Sequence, residues 1–251
     1  MTAGPDPVYV DAHVHLGRYP DPAAVLRRVE SERIVCVAVT DTPAEYCEML
    51  PRLRRPPLVD VALGVHPLHV AELGPQGVAR FDELVDGCAW VGEVGLDGSP
   101  DGLPTLPQQR EALARVLSHP CTPDKVLTVH SRGAEAEVID TLARARVTAV
   151  LHWYRGSLED ARVALDAGMR FSVNPAMLGS SAGRRLIAAL PAERVLTETD
   201  GPYTSIGRRP SAPADVRLVL AALAEQWRVD FEAAARQVRD NLEALRGPPA
   251  A

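Results

Sequence analysis

Hydrophobic positions along the chain fall into eight short runs separated by longer stretches in which apolar residues recur every three to four positions. The runs cover residues 8–12, 34–39, 59–65, 90–94, 126–129, 148–151, 169–173 and 195–197. They are rich in valine and nearly continuous rather than alternating, as strands buried on both faces of a parallel sheet are. The intervening stretches predict helices over 22–32, 44–53, 78–85, 106–118, 134–145, 157–167 and 181–190. Two more follow, over 214–227 and 231–245. Asp21 and Pro22 suit an N-cap and first helical position, and Gly168 suits a C-cap. Pro-rich stretches at 51–57, 100–107 and 201–213 read as loops.

Strands alternating with helices in this number predict an α/β fold, a single (β/α)8 TIM barrel over 1–251 with an extra C-terminal helix at about 231–245. A doubly wound open sheet is the alternative, and the missing Gly-x-Gly-x-x-Gly fingerprint weighs against it.

Polar residues sharpen the picture. His13 and His15 end the first run, and alternation along an extended chain points both to one side. His66 ends the third run, Glu93 the fourth, His130 the fifth and His152 the sixth, and Asp200 follows the eighth. In such barrels the active site forms at the C-terminal ends of the strands, so these residues converge on one mouth. His69 and His119 fall outside the pattern and read as ordinary hydrogen-bonded histidines.

The set His13, His15, Glu93, His130, His152 and Asp200 is too large for one tetrahedral ion and suits two divalent ions bridged by a carboxylate. Its mixed nitrogen and oxygen donors accept Mg, Mn or Zn. Two such ions activate a water and stabilise attacking and leaving oxygens, which implies hydrolysis of a phosphodiester, amide or ester. A carbamylated lysine is another known bridge in two-metal barrels. The chain has one lysine, Lys125, at the start of the fifth strand and so at the opposite end of the barrel. Glu93 is therefore the bridge.

Charge and composition add limits. A net charge of −6 argues against a basic surface that coats nucleic acid, though bound cations alter the charge locally. Basic residues are lopsided, 26 arginines to one lysine. The four cysteines, Cys36, Cys47, Cys88 and Cys121, form no Cys-x-x-Cys pair and read as idle thiols of a reducing compartment. With no signal-like or membrane-spanning apolar stretch, the expectation is a cytoplasmic protein without a membrane partner.

Seven segments carry a resemblance: DAHVHL, GVHP, VGEVGLDGS, TVHSRGAEAEV, VLHWYRGSLED, FSVNP and VLTETDGPY, in order from residue 11 to 203. They resemble the TatD family of metal-dependent deoxyribonucleases, a branch of the amidohydrolase-like barrels, and Arg239-Asp-Asn-Leu resembles the closing family segment. The resemblance implies that His13, His15, Glu93 and Asp200 hold one ion and Glu93, His130 and His152 the other. It further implies that Asp200 orients the nucleophilic water and accepts its proton, and that His66 sits beside the scissile group. DNA is the implied partner, as single strands or ends.

GRYPDP, EVGLDGSP, HWYRGS, FSVNPAML and TETDGPY look narrower still, like the TatD-type nuclease of Qat anti-phage defence systems, which would make other Qat proteins partners. Two stretches depart from ordinary TatD proteins. Trp153-Tyr154-Arg155-Gly156 stands where Cys-Phe-Ser-Gly is usual, and 207–213 replaces an Arg-Gly-Lys-x-Asn-x-Pro stretch. In these mouth loops Arg18, Arg132, Arg155, Arg208 and Arg209 are candidate phosphate ligands. Trp153, Tyr154 and Tyr203 are candidate stacking platforms for a base. Arg132, Arg155 and Tyr203 are the substrate-binding choice.

Overall fold

A β-branched run buries both faces only inside a sheet covered by helices, and here such runs line up as a closed parallel wall. The structure, a computed structural model, describes residues 9–246, so Val8 of the first predicted run lies outside the described residues. Strands β1 (Tyr9–Val14), β2 (Ile34–Ala38) and β3 (Val59–Val61) pair in parallel in that order. A second parallel set follows chain order: β4 (Leu63–Val65), β5 (Trp90–Gly95), β6 (Val126–His130), β7 (Thr148–His152), β8 (Arg170–Val173) and β9 (Val195–Thr197).

The run at 59–65, predicted as one strand, is thus two, with Ala62 between them. Ala62 still donates its N–H to Ala38 O at 2.8 Å, so the wall is continuous. Just past the break, within β4, stands Gly64, where a Cβ would lie 1.6 Å from Thr40 O. The chain leaving β2 passes directly over this glycine and exchanges main-chain hydrogen bonds with β5 instead. Thr40 N–H donates to Gly92 O at 3.3 Å and Glu93 N–H to Thr40 O at 3.0 Å.

Polar groups of the TETDG stretch close the barrel between β9 and β1. Thr197 Oγ1 donates to Val10 O at 2.5 Å, and the fully buried Asp11 accepts from Thr199 N–H at 2.8 Å and Thr199 Oγ1 at 2.6 Å. Asp200 N–H then donates to His13 O and His15 N–H to Gly201 O, both at 2.9 Å. A carboxyl so deeply buried has its pKa raised well above normal, burial outweighing these hydrogen bonds.

The helices are α1 (Pro22–Glu32), α2 (Pro43–Leu53), α3 (Val70–Leu84), α4 (Leu106–Ser118), α5 (Glu135–Ala145), α6 (Leu158–Asp166), α7 (Pro175–Gly179), α8 (Ser181–Ala189), α9 (Val216–Trp227) and α10 (Phe231–Arg246). Asp21 caps α1 by accepting from Ala24 N–H at 2.9 Å, with Pro22 in its first turn. Helix α3 begins eight residues before the predicted 78. Its periodicity is interrupted by Gly74, at φ 60°, and Pro75, which kink the helix and hide its first turn. Short α7, capped by Asn174, was not expected. Nor was the antiparallel hairpin of β10 (Ser205–Ile206) and β11 (Arg209–Pro210) inside the Pro-rich 201–213 loop. Helix α10 is tied to the barrel by Asn241, which donates to Ala192 O and Val195 O at 2.7 Å, giving the Arg239-Asp-Asn-Leu segment a structural role. No helix among the described residues is long and apolar enough to cross a membrane.

Candidate metal centre

Each strand end delivers a side chain to the same mouth, because residues at the C-terminal edge of a closed parallel barrel point along its axis region. His13 lies in β1 and His15 just beyond it, while His130 and His152 are the last residues of β6 and β7. Glu93 lies within β5, between glycines that allow close passage. A Cβ on Gly92 would sit 2.1 Å from Thr128 Cγ2, and one on Gly95 2.0 Å from His130 O.

Glu93 is the centre of the arrangement. Its Oε2 lies 3.3 Å from both His13 Nε2 and His15 Nε2. Its Oε1 lies 2.6 Å from His130 Nδ1 and 2.9 Å from His152 Nε2. Asp200 Oδ1 joins the first pair, 3.8 Å from His13 Nε2 and 3.5 Å from His15 Nε2. The residues named from sequence are therefore all brought together, in two groups that share one carboxylate.

A second layer of polar groups stands behind the imidazoles, and the sequence reading did not identify it. Thr128 Oγ1 is 2.6 Å from His13 Nδ1, and Asp97 Oδ2 is 2.8 Å from His130 Nε2. Asp41 Oδ1 is 3.4 Å from His15 Nδ1, and Glu198 Oε1 is 3.8 Å from His152 Nδ1. Such partners fix which ring nitrogen faces a ligand and keep the ring from turning. Asp97 is itself held, accepting from Ser99 N–H at 2.8 Å while its own N–H donates to Gln109 Oε1 at 2.8 Å. Glu198 accepts from Asn174 Nδ2 at 2.9 Å, from Trp153 N–H at 3.0 Å and from Ser172 Oγ. Asp97 and Glu198 lie inside the quoted GEVGLDGS and TETDG segments, so adjacency to Glu93 and Asp200 was their available signal.

His66 differs from the other imidazoles. Its Nε2 is 3.3 Å from Glu93 Oε1, close enough to be counted with the ligands. Its Nδ1, however, accepts from Leu68 N–H at 3.2 Å. The neutral ring therefore carries its proton on Nε2 and presents a donor, not a lone pair.

The donor set fits divalent metal ions. The metal-facing atoms of His13, His15 and Asp200 lie within 4.8 Å of one another, as do those of His13, Glu93 and His152. His13 Nε2 is fully buried with no hydrogen-bond partner, although it faces two carboxylates. Burial and the neighbouring His152 charge hold the His13 pKa low, so its lone pair stays available. Burial opposes ionisation of Glu93, yet the imidazoles of His66, His152, His13 and His130 hold its carboxyl well below the usual range. His15, disfavoured by burial, is still pushed up to about 10 by Asp200 and Glu93. The pocket thus concentrates negative charge that draws cations.

Around the centre lies a cavity of about 310 Å³. Arg132, Arg155 and the exposed Tyr203 line it, the Tyr203 ring packing edge-on to that of His15 with their centroids 4.8 Å apart. His69, read from sequence as an ordinary hydrogen-bonded histidine, lines it too, because the Pro67 turn directs the chain back over the mouth. His119 is remote and packs edge-on against Phe81, and Lys125 donates to Asp86 O below the barrel. Three other candidates fall away. Arg18 is held by Asp41 at 2.5 Å and Glu45 at 3.1 Å. Arg209 forms a two-point pair with Asp215 at 2.6 and 2.7 Å. Tyr154 is buried against Phe171, its hydroxyl donating to Ser157 O.

Fold and site together define a class, the TIM-barrel metal-dependent hydrolases acting on ester bonds. Residues 10–247 match the family described as TatD related DNase, and the chain belongs to that family. It is 31% identical over 210 residues to an uncharacterized metal-dependent hydrolase TatD of Mycobacterium tuberculosis, covering 77% of this chain and 80% of that one. It is 30% identical over 200 residues to the 3′-5′ ssDNA/RNA exonuclease TatD of Pantoea ananatis, covering 73% and 76%. The fold is shared with a TatD homolog from Escherichia coli, at a TM-score of 0.80 and 23% identity over 96% of this chain and 98% of that one.

Proposed function

We propose that the protein is a divalent-metal-dependent deoxyribonuclease that hydrolyses DNA phosphodiester bonds with two ions, acting on single strands or strand ends. The observation that carries this reading is Glu93, whose Oε2 faces His13 and His15 while its Oε1 faces His130 and His152, with His66 beside them. His13, His15, Glu93 and Asp200 would hold one ion and Glu93, His130 and His152 the other. Bound there, Mg, Mn or Zn supplies Lewis-acid stabilisation of the charge that develops on the phosphoryl oxygens.

The protein's own groups do the rest. Asp200, buried beside His13 and His15, orients the attacking water and takes its proton as the oxygen bonds to phosphorus. The phosphorus–oxygen bond to the departing nucleotide then breaks, and its oxygen takes up a proton from solvent or from His66 Nε2. His66, with its proton on Nε2, donates a hydrogen bond to the phosphoryl or leaving oxygen. Tyr203 offers an exposed ring for stacking a terminal base. Names of relatives support the substrate, since one is the deoxyribonuclease TATDN3 of Homo sapiens.

The test is cleavage of end-labelled single- and double-stranded DNA with Mg²⁺, Mn²⁺ or Zn²⁺, beside Glu93→Ala. Metal-dependent cleavage lost in the variant is expected, and none by the wild type, or equal cleavage by both, overturns the reading. The cavity of about 310 Å³ is also of a size for a small phosphate, amide or ester substrate, and that second reading gains if DNA survives while such a compound is cleaved.

The narrower role, a nuclease of a Qat anti-phage system working with other Qat proteins, rests on the GRYPDP, HWYRGS and FSVNPAML segments. Phage plating on cells carrying the gene with its neighbours tests it. Protection that survives Glu93→Ala, or neighbours unrelated to defence, counts against it.

A further inference from the structure

We infer that Arg132 and Arg155 form a subsite for a second phosphate, one that flanks the bond being cleaved, so that the preferred substrate carries two phosphates. This rests on the nuclease reading of the same mouth.

The argument begins with charge. Of the five arginines that the mouth loops supply, Arg18 and Arg209 are already paired with carboxylates, and Arg208 sits exposed on the β10–β11 hairpin without lining the cavity. Arg132 and Arg155 line the cavity, and their guanidinium groups make no hydrogen bond or ion pair among the described residues. The opposite wall, by contrast, carries Asp41 and Glu45 around Arg18. An extended anion entering the mouth is therefore attracted to the β6–β7 side and repelled from the β1–β2 side.

Position separates these arginines from the ligands. Arg132 and Arg155 follow His130 and His152 by two and three residues, through turns that begin beyond the strand ends, so their backbones stand at most about 7–10 Å past those of the two ligand histidines. That offset suits the neighbouring phosphate along a strand, while the scissile one lies among the ligands themselves.

The backbones that carry them are also fixed. Gly98 N–H donates to Arg132 O at 2.7 Å, and Gly98 packs so closely on Gly133 that a Cβ there would lie 2.4 Å from Gly133 O. Ahead of Arg155, Trp153 N–H is anchored on buried Glu198 at 3.0 Å. Two planar guanidiniums on rigid loops match phosphate oxygens through paired N–H donors.

The experiment compares thymidine dinucleotide dTpdT with its 5′-phosphorylated and 3′-phosphorylated forms, using the metal-loaded wild type and Arg132→Ala/Arg155→Ala. The wild type is expected to prefer one phosphorylated form in kcat/KM. The double variant is expected to reduce that preference by about tenfold to a hundredfold, the worth of lost charge-assisted hydrogen bonds. Its KM for a longer single strand should also depend less steeply on salt. No preference in the wild type, or an equal loss on all three substrates, overturns the subsite while leaving the nuclease reading intact. Failure of the wild type to cleave any of them, or longer DNA, overturns the nuclease reading and the subsite with it.

Discussion

Asp97 Oδ2 lies 2.8 Å from His130 Nε2, which turns Nδ1 of the same ring toward Glu93 at 2.6 Å. His130 is thereby the one imidazole of the four that addresses the centre through Nδ1, and a carboxylate 33 residues away decides it. Asn at 97 keeps the shape but loses the charge and can turn its amide toward the ring. We expect Asp97→Asn to weaken binding of one ion by about 10–100-fold while the other is retained. Metal titration by calorimetry checks this, and two unchanged binding steps would refute it.

The proton on His66 Nε2 separates it from the ligands although it is as near to Glu93 as His13 is. His66→Ala is expected to leave metal content unchanged and to lower kcat by roughly 10²–10⁴-fold, as removal of a positioned proton donor does. His130→Ala should lose metal. Elemental analysis of the two purified variants distinguishes the roles.

The buried imidazoles and carboxylates of the mouth are assembled only by the fold, so metal ions would bind the folded chain in preference to the unfolded one. Chelation should therefore destabilise the protein. Metal at about a hundred times its Kd should restore about 2.7 kcal/mol, or roughly 5–10 °C in melting temperature. Thermal melts with and without chelator measure it.

Gly92 and Thr128 press against each other beneath His13. Gly92→Ala should cost more than about 3 kcal/mol, since its new methyl meets Thr128 Cγ2 at 2.1 Å. Thr128→Ser removes that methyl and keeps Oγ1 for His13 Nδ1. In Gly92→Ala/Thr128→Ser we expect partial recovery of stability, limited by Thr128 O at 2.9 Å. Urea denaturation of the single and double variants is the check.

Arg209 and Asp215 anchor the hairpin beside the mouth. Burial raises the Asp215 pKa, but the Arg209 fork and Ala212 N–H outweigh it and hold the carboxyl below its ordinary value. A depressed folded pKa contributes stability above the unfolded pKa and loses it as pH falls through the folded one. Arg209→Ala should thus cost about 1 kcal/mol at pH 7, with most of the difference gone below about pH 3. Melts across pH 2.5–7 follow the gap, and a gap constant with pH would contradict the assignment.

Eight valine-rich runs and the residues that end them were enough to read the barrel and to bring His13, His15, Glu93, His130, His152 and Asp200 to one mouth. Both rest on local pattern: strand burial shows in two or three neighbouring residues, and a closed parallel barrel places every strand end on the same face. Where local pattern was interrupted the reading slipped, as at Gly74-Pro75, which hides the start of α3, and it also missed the division of β3 from β4 at Ala62, which the sequence does not mark.

The tertiary structure alone decided what each charge does. Arg18 meets Asp41 across 23 residues, His13 meets Thr128 across 115, and Asp11 meets Thr199 across 188. Such pairings depend on which strands become neighbours and how far side chains reach, and periodicity carries neither. For that reason the arginines looked alike in sequence, while in the fold Arg18 and Arg209 are spent on carboxylates and Arg132 and Arg155 line the mouth with no side-chain partner among the described residues.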